Sequence, residues 1–436
     1  MTSPRSRLLV RLLAVLVMFV GFAGQFVRNL LGWIGFGVVD GLLAVAVVVA
    51  IILLRPRMAW RRVPKSLVAF LLLAVVSIAW SFYPGASAAG AGVLIVTTLA
   101  GVFLGLCLSW AELVRTFGVA LRWILGLSLA FEFWTAAVSG PILPFFFDAS
   151  QYGEPPYPKA FYWSRALLLH GGPIEGIVGN RNLLGFVALL ALIIFAVQLA
   201  AKSVRRFWGI FWLVVAVAVF LLTRSATVIL AAVVVAVAVG FVLWARRANP
   251  DGRRPIYLTA LGTVVVVVGA SIALFPVILK LFGKSEDFTG RFDIWSAVIH
   301  LAQQRPAFGW GWVSYWAPWV HPFSDLAERK GVVYLQAHNA WLDVWFQLGV
   351  VGVVVFGALI VSTLWRSWFT AIDRPRHGLA TDEPYAAITL VPVLLMAALL
   401  AQSLAESRIL IEGGWITLVT LCLITKRSQS SAERIP

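Results

Sequence analysis

Three titratable or charged side chains stand where the surrounding sequence is apolar: Arg224 in FLLTRSATVIL, Arg291 directly after Gly290, and His338 in AHNAW beside Asn339. An arginine fork can hydrogen-bond two phosphate oxygens at once and does not give up its proton, so it suits an anionic ligand. A neutral imidazole, with an ordinary pKa of about 6.5, can take a proton from a hydroxyl. Each residue also has a plainer reading. Arg224 can snorkel to lipid phosphates, Arg291 can pair with Asp287 or Asp293, and a lone histidine is more often structural. Arg291 and His338 both fall in the polar stretch that opens residues 290–352, between apolar runs. Arg224 sits at a turn between two more such runs, and ionisable residues at membrane depth are functional candidates by default.

Those residues need a scaffold, and composition names its class. Of 436 residues 61% are hydrophobic and 12% charged, against roughly 25% charged in a soluble domain, which describes a polytopic membrane protein. The formal net charge of +16 is spread in short clusters between apolar segments, as the positive-inside rule expects, so it does not point to nucleic acid. Cys107 and Cys422 lie inside apolar runs, and no Cys/His spacing suits a zinc site. A Walker-type GxxxxGK is absent from the sequence. About twelve stretches are long enough to cross a hydrocarbon core of about 30 Å. They run near 8–25, 32–54, 66–82, 87–109, 116–139, 182–201, 207–222, 225–244, 256–279, 340–365, 386–404 and 409–425. The division at 207–244 rests on Arg224, since a hairpin there costs less than a guanidinium facing lipid.

The expected fold is therefore an all-α integral membrane protein, a single polytopic unit over 1–436. It has a nine-helix part at 8–279, a long loop at 280–339 between helices nine and ten, and three C-terminal helices at 340–425. Segment 366–385 is the expected hinge between the two helical parts. Most Lys and Arg residues fall on one side if both termini are cytoplasmic, which turns the loops 140–181 and 280–339 to the extracytoplasmic face. Within the second loop Ile294, Val298 and Leu301 recur at helical spacing until Pro306, the pattern of an amphipathic helix lying on the membrane. The following WGWVSYWAPW fits an interfacial aromatic belt, and its rings could also stack on sugars.

TRSAT at a helix hairpin, then GRFDIW and RPAFGWG, then AHNAWLDVWFQLGVVG, together resemble the signature of the O-antigen ligase and polymerase superfamily. GNRNLLG at 179–185 resembles its asparagine-containing motif, and SLAESRIL at 403–410 the outer turn between its last two helices. The resemblance spans roughly residues 175–425. It implies a glycosyltransferase of the C-type membrane architecture in the bacterial cytoplasmic (inner) membrane, with its site on the extracytoplasmic face. The donor would be an undecaprenyl-diphosphate-linked glycan and the acceptor a hydroxyl on another glycan or a lipid anchor; the other partner is the bilayer, with no nucleic acid. Carried over by motif, Arg224 and Arg291 hold the donor diphosphate and His338 serves the acceptor. Asn180, Arg181, Asn182, Asp293, Asn339 and Arg408 come as supporting residues. The chain departs from the pattern at Thr223, Arg181 and Gln347, where the family often has serine, another residue and an acid.

When a bond at an anomeric carbon breaks, the departing diphosphate gains charge that two guanidinium forks can stabilise, while an imidazole takes the acceptor proton. A single displacement inverts the configuration, and no cofactor or metal is called for: the sequence has no DxD triplet. Two acids, Asp40 and Glu132, lie about 12 Å deep at 1.5 Å per residue. They could line an acceptor cavity or hydrogen-bond across the bundle, and pairing with Arg224 ranks first. The other functional class for so many helices is a secondary transporter of a small anionic solute, with Asp40, Glu132 and Arg224 on its path.

Overall fold

The computed structural model describes residues 4–56, 62–148, 154–273, 286–324, 326–329, 332–373 and 384–428. The α-helices are α1 (Pro4–Leu54), α2 (Lys65–Val76), α3 (Pro84–Cys107), α4 (Trp110–Trp134), α5 (Arg181–Ala200), α6 (Arg206–Thr223), α7 (Ala226–Arg247), α8 (Arg254–Ala273), α9 (Glu286–Gln304), α10 (Ala340–Ile372), α11 (Val391–Ser403) and α12 (Glu412–Ser428). Apart from them, a two-residue antiparallel pair joins Glu328–Arg329 to Val332–Val333. The all-helical, multi-pass membrane class stands.

The twelve expected spans are not reproduced one for one. Seven helices among the described residues, α1, α3 to α7 and α10, are long and apolar enough to cross a membrane. Segments 8–25 and 32–54 are the two halves of α1, separated by non-helical backbone at Ala23 and Gly32, where the sequence divides them. Gly32 takes φ 70 and ψ −177 there, a conformation open to glycine alone, and the chain turns so that Val17 and Gly21 of the first half share a cavity with Phe36 and Asp40 of the second. Segments 66–82 and 386–404 form shorter apolar helices. Segment 409–425 starts its helix only at Glu412. The end of the ninth expected span, the start of the long loop and the centre of the expected hinge, residues 274–285 and 374–383, lie outside the described residues.

Small residues let the helices meet closely. Gly101 and Gly105 on α3 face Val419 and Leu423 on α12, where a Cβ at Gly101 would come within 2.6 Å of Val419. The Trp415 Nε1–H donates to Thr98 Oγ1 across the same contact at 2.9 Å. In a bilayer this close approach replaces the hydrophobic drive that water supplies elsewhere.

A second, smaller core lies under the long loop. Ile294, Val298 and Ala302 of α9 pack there with Trp316, Phe323, Ala337 and Phe346. The apolar stripe anticipated in this loop is thus buried against protein rather than laid on a membrane, because α10 and the segment 313–337 supply the apolar partner. Residues 306–311 run along a break in α10. The Trp310 and Gly311 amides donate to Phe346 and Gln347 carbonyls at 3.0 and 2.9 Å, and the Val350 amide donates to the Pro306 carbonyl at 2.7 Å. The break sits at Gly349, with φ 66, where an added Cβ would lie 2.2 Å from the Ala307 backbone.

Gly349→Ala should therefore combine left-handed strain of about 1–3 kcal/mol with a backbone clash. Thermal unfolding in detergent should show a clear loss of stability, whereas Gly357→Ala, whose Cβ would meet only Trp341 at 3.9 Å, should be nearly silent.

Candidate active site

Several helix ends meet at one end of the bundle, each shaped by its own sequence. Asn180 caps α5 by accepting from the Asn182 and Leu183 amides, and Asn339 caps α10 by accepting from Trp341 and Leu342. Ser225 caps α7 through the Val228 amide. These caps satisfy the free amides of a first helical turn and leave three positive helix ends facing one region. The turn between α11 and α12 brings Glu406 among them.

Glu406 is the centre of the cluster. Its Oε1 accepts from Arg291 Nη2 at 2.8 Å and from Asn182 Nδ2 at 3.1 Å, while Oε2 lies 2.8 Å from His338 Nδ1. The carboxylate is buried, 6% exposed. Burial alone would push its pKa up, but His338, Arg291 and Arg408 outweigh that and hold it at about 2. Against an ionised carboxylate, Nδ1 must carry the hydrogen, so the lone pair of a neutral His338 is on Nε2. The Asn182 amide is fixed in turn by Ser225 Oγ, which donates to Oδ1 at 2.8 Å.

Both partners of this dyad are pinned by one further acid. Asp343, buried on the first turn of α10, accepts from the Ala337 amide at 3.1 Å and from Trp316 Nε1 at 2.9 Å, and its Oδ2 also takes the Ser407 hydroxyl. Ala337 precedes His338 and Ser407 follows Glu406, so Asp343 holds the neighbouring residue at each end of the 2.8 Å contact, by a backbone amide on one side and a hydroxyl on the other. His338 itself sits at φ 51, a left-handed conformation that a non-glycine residue adopts only under constraint. Gln347 accepts from the Val313 and Ser314 amides and donates to the Ser314 carbonyl. An amide does both, which a carboxylate at this position could not.

Arg224 ends α6 in the left-handed region, with φ 49. It is exposed, and its side chain makes no hydrogen bond or ion pair among the described residues, although its neighbour Ser225 is tied to the cluster. Its fork is therefore open to a ligand. Arg408 is turned aside: it donates to Tyr315 Oη at 2.8 Å and pairs with Glu412 at 2.7 Å. Burial works against its charge, but Tyr315, Glu412 and Glu406 prevail and raise its pKa. Arg181 lies near Glu175, whose pKa burial raises to about 7 despite an ion pair with Arg165 at 2.8 Å. Asp293 is exposed on the side of α9 away from Arg291.

Three expectations need correction. Of the partners named for Arg291, Asp287 has its side chain outside the described residues and Asp293 is not engaged among them; Arg291 pairs with Glu406, because the turn after α11 comes within reach of its inner face. Glu132 does not pair with Arg224: its Oε1 accepts from the Glu175 and Gly176 amides at 2.9 and 2.7 Å and its Oε2 from Ser164 at 3.3 Å, so it holds the loop before α5. Asp40 lines a cavity with Glu412, Phe36 and Gly21, apart from Arg224. Glu406 and Asp343 were not among the sequence candidates. Glu406 was visible as the one acid in SLAESRIL, and Asp343 as the acid of AHNAWLD.

Glu406 titrates near 2 when folded and an ordinary glutamate near 4.5. A depressed acid contributes stability above its unfolded value and loses it as pH falls toward the folded one. The difference in melting temperature between parent and Glu406→Gln should therefore be largest near neutral pH and shrink as pH drops below 4.5.

Residues 210–357 match the family model described as O-antigen ligase. No curated protein matches the chain. The matched segment carries Arg224, Arg291 and His338, while Glu406, which pairs with the last two, and Asn182, which donates to Glu406, lie outside it. That match, on a multi-pass helical scaffold, makes residues 210–357 similar to the O-antigen ligases and supports the resemblance read from the sequence.

Proposed function

We propose that the protein transfers a glycan from an undecaprenyl-diphosphate donor to an acceptor hydroxyl, as a surface-polysaccharide ligase or polymerase, with inversion and without a metal. The observation that carries this is the His338–Glu406 contact at 2.8 Å inside a cluster that also holds Arg291. His338 Nε2 accepts the proton of the acceptor hydroxyl as its oxygen attacks the anomeric carbon. The bond from that carbon to the diphosphate oxygen breaks, and the electron pair leaves with the phosphate. Arg224, with its fork unengaged, and the remaining N–H groups of Arg291 stabilise that charge, and Glu406 stabilises the imidazolium formed at His338. One attack from the face opposite the leaving group inverts the configuration.

Sidedness follows from charge. At the end of the bundle away from this cluster, Arg246 donates to Ala371 O and Thr389, Arg253 pairs with Asp373, and Arg427 donates to Leu106 O. Such basic ends belong on the cytoplasmic side, which turns the cluster outward, and both termini inward, across the bacterial inner membrane.

Purified protein given donor and acceptor in detergent should form a glycosidic bond without gradient or nucleotide, and in the presence of a chelator. Product lost on chelation would refute the metal-free step. Solute movement across sealed vesicles with no new bond would instead favour a secondary transporter. His338→Ala should lower turnover by roughly 10² to 10⁴, and Arg224→Lys by about 10² or more, because an ammonium lacks the fork. Wild-type rates in both would sink the assignment.

For topology, a cysteine at Ser324 should react with a membrane-impermeant thiol reagent in intact cells, and one at Ser203 should react only after lysis. The reverse pattern would invert the orientation.

A further inference from the structure

The far side of α9 carries a feature that the transfer chemistry leaves unused. The inner side of this helix roofs the Glu406 cluster: Arg291 reaches Glu406, and Trp295 Nε1 donates to the Ala337 carbonyl at 2.8 Å. Asp293, Ser296 and His300, spaced three and four residues apart, fall on the opposite side and are exposed. With His321, and with the apolar Leu301, Pro322 and Leu326, they line an open groove of ≈ 620 Å³.

The nearby tryptophans sharpen what this groove suits. Trp312 and Trp316 are wholly buried, and Trp310 Nε1 donates to the Leu301 carbonyl at 2.8 Å, so all three serve the fold. Trp319 is 78% exposed, two residues before His321. A carboxylate, a hydroxyl and two imidazoles in one groove, with a flat indole next to it in sequence, offer hydrogen-bond donors and acceptors and a stacking face. An apolar chain would leave these groups unpaired, and Asp293 disfavours a phosphate. Hydroxyl-rich sugar rings satisfy both conditions.

We propose that this groove binds distal sugars of the donor's glycan, once that chain is long enough to cross the roof formed by α9. The proposal rests on the glycan-transfer reading and extends it to a subsite remote from the bond that forms.

The test reads binding without turnover. Lipid-free oligosaccharides of two or more repeat units, released from the cell's own surface polysaccharide, are titrated calorimetrically into the purified full-length chain. Parent protein should bind them. Ser296→Trp, which fills the groove from an exposed position, and His321→Ala should each weaken binding by about tenfold, or about 1.4 kcal/mol. The oligosaccharide should also slow modification of His300 and His321 by diethyl pyrocarbonate. No binding by the parent, equal binding by parent and both variants, or unprotected histidines would overturn the groove. Groove-dependent binding in a chain that transfers nothing would uphold the groove and refute the transfer reading instead.

Discussion

One end of this protein is organised by one buried anion. Glu406 is shielded from water, and a carboxylate in that position is tolerated only if its charge and lone pairs are met. Arg291, His338 and Asn182 meet them, from α9, from the residue before the cap of α10 and from the first turn of α5. Removing one partner of such a group typically costs about 3–5 kcal/mol, because the other charge stays buried. Four parts of the chain are thereby held to one point, and the position of the proposed base is a consequence of that constraint.

Asp343 extends the same logic. By accepting from the Ala337 amide, before His338, and from the Ser407 hydroxyl, after Glu406, it ties the two partners through their chain neighbours. The loop that follows α9 is then locked onto α10 by Gln347 and by the backbone contacts at the Gly349 break. A cluster fixed in this way reorganises little during a reaction, and preorganised groups are the effective ones for charge that develops only in a transition state. Arg224 is the contrasting element: its backbone is set by the hairpin and its side chain is unengaged among the described residues, as suits the proposed capture of a mobile, anionic lipid headgroup.

Much of this was legible in the sequence. Apolar length and the scarcity of charge specify a multi-pass helical membrane protein, since a bilayer admits long spans only if their backbone bonds close within the span or within a barrel. The hairpin at Arg224 was legible because a guanidinium cannot sit among lipid tails at low cost. The helix ending before Pro306 followed from spacing and from the ring that proline imposes. Arg291 and His338 stood out because they are polar groups beside membrane-length apolar runs.

Only the tertiary structure decided what those groups touch. His338 and Arg291 meet Glu406 across 68 and 115 residues of chain, and no local pattern encodes a partner at that distance. For the same reason Glu132, legible as a buried acid, proved to hold a loop rather than Arg224. The apolar stripe of α9 announced that it would be buried, but whether by lipid or by protein depended on where α10 and the loop before it came to lie. Periodicity and hydropathy are properties of neighbours in sequence, and they fix which segments must leave water. The pairing of buried charges is a property of neighbours in space, and it is settled only when the segments pack.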